Sequence, residues 1–162
     1  MSELETLYRR HAPAVLRFAW GLCGDRARAE DLVSETFVRL LTKAPRIETR
    51  TALAYLLAIA RNAFLDEARG GGREVPLPGD LRAPGRGPDE RIDDAERLRA
   101  VMERLRALPE GERAALLLRV DHELPYDEIA GVLGISIVAA KVRVHRARTR
   151  LAAARDDGGK RR

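Results

Sequence analysis

The sequence predicts an all-α fold of two small helical domains joined by a flexible linker, with a helix-turn-helix in the C-terminal domain. Ala, Leu, Arg and Glu dominate the 162 residues, and long β-branched runs are missing. Apolar residues recur at helical spacing on both sides of 70–93, a segment with six Gly and four Pro among its 24 residues. Structureless loops of this length are uncommon inside a compact domain, so we interpret 70–93 as a linker. It would join a domain at 1–69 to a domain at 94–155, and 156–162 would be a disordered tail.

Helical periodicity places three helices in the N-terminal domain. The first carries an apolar stripe over 4–22, which Pro13 should kink or interrupt because proline has no amide hydrogen to donate. Asp25 is a suitable N-cap for the second helix, whose apolar stripe over 29–41 should be buried. A third helix is expected from about 51 to 69. The chain has only seven aromatic residues, so this core should consist mainly of aliphatic side chains.

Four helices are expected in the C-terminal domain. The first two should cover about 94–108 and 112–120. A third, 126–133, should end at Gly134, which can adopt the left-handed conformation, and Ser136 can cap a fourth. This succession of helix, glycine turn and capped helix predicts a helix-turn-helix.

The last helix combines a buried stripe with a cationic remainder. The stripe consists of Ile137, Ala140, Val144, Ala147 and Leu151. The cationic and titratable residues outside it are Lys141, Arg143, His145, Arg146 and Arg148. A helix-turn-helix places such a face in the major groove of DNA. The alternative is an ordinary amphipathic helix with a solvated basic face, but the cap, turn and charge signals agree on the recognition helix.

The positive charge is local. The chain has a net charge of +5, yet 137–162 holds nine basic and two acidic residues, whereas 1–136 holds 21 basic and 23 acidic ones. This distribution is expected of a surface that follows phosphates, and it excludes a uniformly basic protein.

Enzymatic and metal-binding classes have little support. Asp31 and Glu35 could suggest a carboxylate metal site, but no Glu-x-x-His motif accompanies them, and the three histidines are scattered at 11, 122 and 145. No glycine-rich phosphate loop follows a strand, and the single cysteine, Cys23, lacks zinc-ligand neighbours. We expect no catalytic residue, metal or cofactor. Without a signal peptide or an apolar run that could cross a bilayer, the protein should be cytoplasmic, with no membrane insertion.

Several motifs together resemble one family. They are LYRRHAP at 7–13, GDR at 24–26, AEDLVSETF at 29–37, IARN at 59–62 and the helix-turn-helix. In this order and in so short a chain, they resemble the bacterial extracytoplasmic-function (ECF) sigma factors of the sigma-70 family, with regions 2 and 4 only.

The resemblance implies a transcription initiation factor that binds core RNA polymerase and promoter DNA. Region 2 (1–69) would contact the β′ clamp helices and recognise and melt the −10 element. Region 4 (94–155) would recognise the −35 element and contact the β flap. An anti-sigma factor is a further expected partner.

The resemblance also implies three sets of site residues. The polymerase contacts would be Asp31, Leu32, Ser34 and Glu35. The −10 contacts would be Arg46, Arg50, Thr51, Tyr55, Arg61, Asn62 and Arg69. The −35 contacts would be Ser136, Val138, Ala139, Lys141, Val142, Arg143, His145 and Arg146.

Some residues leave alternatives open. Glu35 could simply pair with Arg39 one turn later, and Tyr55 could stack on an unpaired base or belong to the core. Ala139 and Val142 stand where the family commonly has Thr and Ser, which leaves apolar groups that could contact thymine methyls. A freestanding helix-turn-helix regulator that never joins polymerase is the other function we consider, although it gives the Asp31 face no role.

Overall fold

A computed structural model describes residues 2–71 and 88–160, with side chains for 2–70 and 93–154. That part of the chain contains seven helices and no strand, which confirms the predicted all-α class. The helices are α1 (Glu3–Cys23), α2 (Arg26–Thr42), α3 (Ala52–Gly71), α4 (Pro88–Ala107), α5 (Glu110–Val120), α6 (Tyr126–Leu133) and α7 (Ile137–Lys160).

The helix ends in the N-terminal domain follow from local sequence signals. The Ser2 hydroxyl accepts a hydrogen bond from the Glu5 amide at 3.2 Å, and α1 ends at Gly24, which has a left-handed φ of 74°. The Asp25 carboxylate caps α2 by accepting from the Ala27 amide at 2.9 Å. The predicted interruption at Pro13 is wrong, since α1 continues through it. Pro13 is exposed, so the carbonyl that loses its helical partner there can bond to water.

Two boundaries differ from those that composition suggests. Helix α3 extends to Gly71 and α4 begins at Pro88, so both ends of segment 70–93 are helical, and 72–87 lies outside the described residues. Helix α7 continues to Lys160, inside the segment 156–162 that we expected to be a disordered tail, and 161–162 lies outside the described residues.

The core runs without interruption through both domains. Phe18, Leu22 and Leu57 are fully buried in α1 and α3, and Leu118 and Ile129 are fully buried in α5 and α6. From its length and composition the chain could bury one modest core or two small ones, and in the structure α1 packs on α5 and α4, and α3 packs on α6. The two domains therefore bury apolar surface against each other.

Close helix packing supports this contact between the domains. A Cβ atom at Gly21 in α1 would lie 2.7 Å from the Leu117 side chain of α5, so a larger residue would require that side chain to move. The Arg113 guanidinium of α5 donates a hydrogen bond to the Leu22 carbonyl of α1, and burial lowers the pKa of Arg113. Within the described residues, none of the helices combines the length and apolar character needed to span a bilayer.

Two residues at the ends of the predicted buried stripes are exposed. Leu41, at the end of the α2 stripe, is 64% exposed, and Ile137, at the start of the α7 stripe, is 46% exposed. Both residues lie at a helix end, where no neighbouring helix covers them. Periodicity identifies the buried side of a helix, but the length of the packing partner decides how much of it is covered.

Candidate nucleic-acid interface

Helices α6 and α7 form the predicted helix-turn-helix. Helix α6 ends at Gly134, whose φ of 65° is left-handed, and the Ser136 hydroxyl accepts a hydrogen bond from the Ala139 amide at 3.0 Å. Ala140, Val144 and Ala147 are buried beneath α7. The cap and the buried stripe together fix which side of α7 is presented to solvent.

Most of the predicted −35 residues lie on the outer side of α7. Val138 is 71% exposed and Val142 is 40% exposed, and Ala139 is half-buried at one edge. The exposed polar members of the set are Ser136, Lys141, His145 and Arg146. The Lys141 ammonium lies 5.8 Å from the centroid of the Tyr126 ring in α6. This face therefore offers cations around an apolar centre, as contacts to phosphates and thymine methyls require.

Arg143 is placed differently from the other predicted −35 residues. Its guanidinium lies over Gly111 in α5, where a Cβ atom would be 2.7 Å from Nη1. Arg150, two turns later, pairs with Glu112 of α5 at 2.9 Å. Sequence spacing could have shown this, because Arg143 lies one turn from both buried Ala140 and buried Ala147. Arg143 and Arg150 therefore both contact α5.

The predicted −10 residues surround the loop that joins α2 to α3. The Tyr55 hydroxyl donates to the Pro45 carbonyl at 2.5 Å, and the Thr51 hydroxyl accepts from the Ala54 amide at 3.1 Å. Tyr55 is half-buried, so its ring packs inside while its hydroxyl anchors the loop. Ala44, at the start of the loop, has an unusual positive φ of 35°. The segment 44–51, which we call the α2–α3 loop, is thus held at both ends.

Two predicted −10 cations are paired with the other domain. Arg61 is 9% exposed, and it makes hydrogen bonds of 2.7 and 2.9 Å to the two carboxylate oxygens of Glu110. Arg50 lies 2.7 Å from Asp127 and 3.0 Å from Glu128. These acidic residues belong to α5 and α6, and no local sequence pattern indicates that they meet α3 and the α2–α3 loop.

The remaining −10 residues divide between a cleft and open surface. Arg46 and Asn62 line a cleft of about 470 Å³ whose far wall includes Ala130 and Gly131 of α6. Arg69 is exposed near the end of α3. The predicted −10 residues other than Arg69 therefore lie beside the C-terminal domain or anchor the loop next to it.

The predicted polymerase residues form an exposed ridge on α2, with one exception. Asp31, Ser34 and Glu35 are exposed, but Leu32 is only 3% exposed and supports the ridge from the core. Val38, 51% exposed, continues the same side of the helix.

Val38 and Leu41 extend this ridge with apolar surface, although Leu41 was expected to belong to the buried stripe of α2. The Glu35 carboxylate accepts a hydrogen bond from Arg39 at 3.0 Å, as the simpler interpretation expected. Arg39 also donates to Asp66 at 2.8 Å, and this second bond is the main reason why its pKa is raised. Glu35 is still 48% exposed, so its pairing leaves it accessible to a partner.

Cys23 lies in an environment that does not activate its thiol. The Cys23 thiol is buried and donates to the Asp25 carbonyl at 3.1 Å, and burial raises its pKa. Within the part of the chain that the structure describes, no three His, Cys, Asp or Glu side chains are grouped as metal ligands.

His122 lies at the contact between the two domains. Its ring meets the Phe18 ring of α1 edge to face, with the centroids 5.7 Å apart, and its side chain is 1% exposed. Among the described residues Nε2 has no hydrogen-bond partner, although the Asp121 carboxylate is 3.4 Å away. Burial lowers the pKa of His122 below its usual 6.5. The Asp121 carboxylate opposes this effect, and the charge of Arg17 adds to it.

We expect the folded protein to lose stability as the pH falls through 6.5. Below this pH the unfolded state binds a proton at His122, whereas the folded state does not until the pH is lower still. The free energy of unfolding therefore decreases as the pH falls and recovers above pH 6.5. Urea unfolding at a series of pH values measures this slope, which His122→Gln should reduce. His145→Gln, at an exposed site, is the control. An unchanged slope in His122→Gln would assign the acid sensitivity to other groups, such as His11, whose pKa is also lowered by burial.

Comparison with known proteins covers both domains. The family model Sigma-70 region 2 matches residues 7–74, and Sigma-70, region 4 matches 98–151. The ECF RNA polymerase sigma factor SigE of Mycolicibacterium smegmatis is 36% identical over 156 residues, covering 93% of this chain and 61% of that protein. The ECF sigma factor SigM of Bacillus subtilis is 31% identical over 155 residues, covering 93% of each chain.

Solved structures show the same fold. The sigma factor RpoE in complex with the anti-sigma factor NepR from Bartonella quintana has a TM-score of 0.72 at 25% identity, covering 93% of this chain and 95% of that one. CnrH in complex with the cytosolic domain of CnrY has a TM-score of 0.70 at 25% identity, covering 95% and 88%.

Proposed function

The chain belongs to the ECF sigma factors of the sigma-70 family, and from this premise we propose how its surfaces bind core RNA polymerase and direct initiation at particular promoters. Proteins of this family are initiation factors and not enzymes, so the chain's function is to bind and position DNA and polymerase. We place it in the cytoplasm, where polymerase and DNA are found. We also propose control by an anti-sigma factor, because the structural neighbour RpoE is in complex with the anti-sigma factor NepR.

The observation that carries the proposal for region 4 is the exposed face of α7. Val142 and Arg146 lie near its centre, directly opposite buried Ala140 and Val144. In a helix-turn-helix this side of the second helix enters the major groove. We propose that Lys141, His145 and Arg146 contact the −35 element, with Val138, Ala139 and Val142 facing thymine methyls, and that another face of region 4 contacts the β flap.

The surface proposed for the −10 element is the α2–α3 loop with the adjoining side of α3. Opening DNA requires cations along the single-stranded backbone and a pocket for an unstacked base. Arg46, Arg50, Arg61 and Arg69 supply the charge. Asn62 supplies hydrogen-bonding groups beside the cleft, and Thr51 and Tyr55 hold the loop in shape.

The exposed ridge on α2 is the surface proposed for the β′ clamp helices. Asp31, Ser34 and Glu35 supply polar contacts at one end, and Val38 and Leu41 supply apolar surface at the other. Exposed apolar surface bordered by charged groups is typical of a protein interface. A freestanding regulator would leave this ridge, and the match of 7–74 to region 2, without a role.

We expect Asp31→Ala combined with Glu35→Ala to weaken binding to core polymerase by about 1 kcal/mol or more, the scale of truncated interface charges. Stability should change little, because Glu35 is 48% exposed, Arg39 keeps its bond to Asp66, and ion pairs at exposed carboxylates contribute about 0–1 kcal/mol. Titration with labelled core enzyme measures the affinity. Glu30→Ala is the matched control, since Glu30 is also exposed on α2 but faces the groove beside Tyr8. Equal affinity for the double variant and this control would overturn the assignment of the ridge.

Transcription in vitro tests the function as a whole. Purified chain and core polymerase are incubated with genomic fragments, and start sites are mapped. Initiation at a defined set of sites, absent with core enzyme alone, is the expected result. If the chain binds duplex DNA at symmetrical sites but never changes where core polymerase starts, it is a freestanding regulator instead.

A further inference from the structure

We infer that the exposed ridge on α2 of one chain binds the outer face of α7 of a second copy of this chain, so that the free protein self-associates head to tail. The outer face of α7 consists of Val138, Val142, His145, Arg146 and Arg148. The contact follows from the two faces themselves, and its consequence for initiation rests on the proposed function. Self-association covers the surfaces proposed for polymerase and for the −35 element in one step.

Neither face is covered within a single chain. Helix α2 packs on α1 and α3, and α7 packs on α5 and α6. Val38 is 51% exposed and Val138 is 71% exposed, so both apolar patches face solvent. Asp31, Arg146 and Arg148 make no ion pair within the described residues. Exposed apolar side chains beside unpaired charges are typical of a surface that another molecule covers.

The two faces carry complementary chemistry in opposite order along their helices. In α2 the acidic residues Asp31 and Glu35 come first, and the apolar residues Val38 and Leu41 follow. In α7 the apolar residues come first and the basic ones follow, in the order Val138, Val142, His145, Arg146 and Arg148. Antiparallel packing of α2 on α7 therefore places carboxylates opposite cations and aliphatic side chains opposite each other. Parallel packing would place charges against apolar surface, where they lose water without gaining a partner.

The dimensions of the two faces also match. The ridge covers 31–41 and the outer face of α7 covers 138–148, so each is about 15 Å long at the rise of an α-helix. When Val38 lies opposite Val142, antiparallel order brings Glu35 opposite His145 and Asp31 next to Arg148. Residues on each face recur at spacings of three and four, as neighbours on one side of a helix do.

The size of this contact determines how strongly the copies associate. A contact between two helices about 15 Å long is small beside stable complexes, which bury about 1,200–2,000 Å². A two-fold pair, in which each copy's ridge meets the other copy's α7, makes the contact twice. Association should therefore depend on protein concentration. It should also weaken in salt, because the paired charges lie at the surface.

Sedimentation equilibrium of the full-length chain, without DNA or polymerase, is the first test. The average mass should rise above the 18.0 kDa of one chain as the concentration increases. It should return towards that value in high salt. A mass that stays at 18.0 kDa up to the solubility limit would overturn the inference and leave both faces to polymerase, DNA and an anti-sigma factor.

Charge reversal tests which faces meet. Asp31→Lys with Glu35→Lys makes the ridge basic, and Arg146→Glu with Arg148→Glu makes the outer face of α7 acidic. Each double variant alone should self-associate about tenfold more weakly or less still, because like charges then face each other. An equal mixture of the two should associate as wild type does, since each reversed face meets an opposite charge on the other protein. Association that survives reversal, or a mixture that stays monomeric, would overturn the inference.

Glu30→Lys with Glu103→Lys is the matched control for the reversed ridge. It changes the net charge by the same amount at exposed positions outside both faces, since Glu30 lines the groove beside Tyr8 and Glu103 belongs to α4. The control should associate as wild type does. A loss equal to that of Asp31→Lys with Glu35→Lys would assign the effect to net charge and overturn the inference.

Core enzyme connects the contact to the proposed function. Polymerase bound at the ridge should separate the copies and leave one chain on each polymerase in the sedimenting complex. Two chains retained on one polymerase would show that the ridge is not part of the contact. Failure of the proposed function is recognised separately, because wild-type chain would then start no transcription with core enzyme, whereas self-association is measured without polymerase.

Discussion

We expect Phe18→Ala to lower the free energy of unfolding by about 3–5 kcal/mol, which is the usual cost of emptying a buried aromatic site. Phe18 is fully buried in α1. Its ring also meets His122 of the C-terminal domain, so the cavity would open at the contact between the domains as well as within region 2. Urea unfolding followed by circular dichroism measures the loss. Fluorescence of Trp20, the single tryptophan, reports on α1 in the same titration.

Leu41→Ala is the control for Phe18→Ala. Leu41 is 64% exposed, so its truncation should change the free energy of unfolding by no more than about 0.5 kcal/mol. A loss below about 1.5 kcal/mol for Phe18→Ala would mean that the surrounding helices collapse into the cavity, which close packing opposes. Loss of the circular dichroism signal in two separate steps would mean that the variant has uncoupled the domains.

The features that local chemistry controls could be predicted from the sequence. Asp25 caps α2, Gly134 ends α6 and Ser136 caps α7 as expected, because each effect depends on residues within one turn. The buried side of α7 follows equally from the period of 3.6 residues. The predicted interruption of α1 at Pro13 was wrong. A proline tolerated on the exposed side of a long helix looks the same in sequence as one that breaks it.

The contact between the domains could not be predicted, because it depends on groups far apart in the chain. Glu110 and Arg61 are separated by 49 positions, and Glu128 and Arg50 by 78. Neither pair belongs to a repeating pattern. The glycine-rich and proline-rich segment 70–93, which separates the two residues of each pair in the sequence, suggests two domains that do not contact each other.

Gly21 and Gly131 were local signs of this contact. A Cβ atom at Gly21 would meet the Leu117 side chain of α5, and one at Gly131 would collide with the Glu48 carbonyl oxygen of the α2–α3 loop. A glycine inside a helix with no turn to make indicates that another part of the chain comes close.

The candidate site was predicted unevenly for the same reason. Residues opposite a buried stripe, such as Val142 and Arg146, are exposed as expected. The exposure of residues beside the stripe depends on the neighbouring helix. Arg143 is one of them, and its guanidinium lies over α5. Leu32 was assigned both to the core and to the polymerase contact, and the structure buries it. A long cation or a leucine at the edge of a stripe can adopt either role, and only the packing partner decides.

Arg146 is therefore the residue whose loss should most affect −35 recognition, in place of Arg143. Arg146 is exposed on the outer side of α7, and it makes no ion pair within the described residues. An arginine in the major groove can donate two hydrogen bonds to one guanine, and this contact contributes about 1–3 kcal/mol of discrimination. Arg146→Ala should weaken binding of the holoenzyme to its preferred −35 sequence by that amount and blur the preference at one base position.

Arg148 provides the matched comparison, because it is exposed two residues further along α7, where contact to phosphates is expected. Arg148→Ala should weaken binding to all −35 sequences alike and reduce the slope of log affinity against log salt by roughly one. Both variants are assembled with core enzyme and titrated with a mapped promoter and its single-base −35 substitutions at several salt concentrations. Assembly matters because the free chain holds its domains together.

A sequence-independent loss of equal size in the two variants would show that α7 follows phosphates and that bases are read elsewhere. A loss confined to one base position in Arg146→Ala, with a uniform loss in Arg148→Ala, would instead locate the reading of the −35 element on the centre of the exposed face.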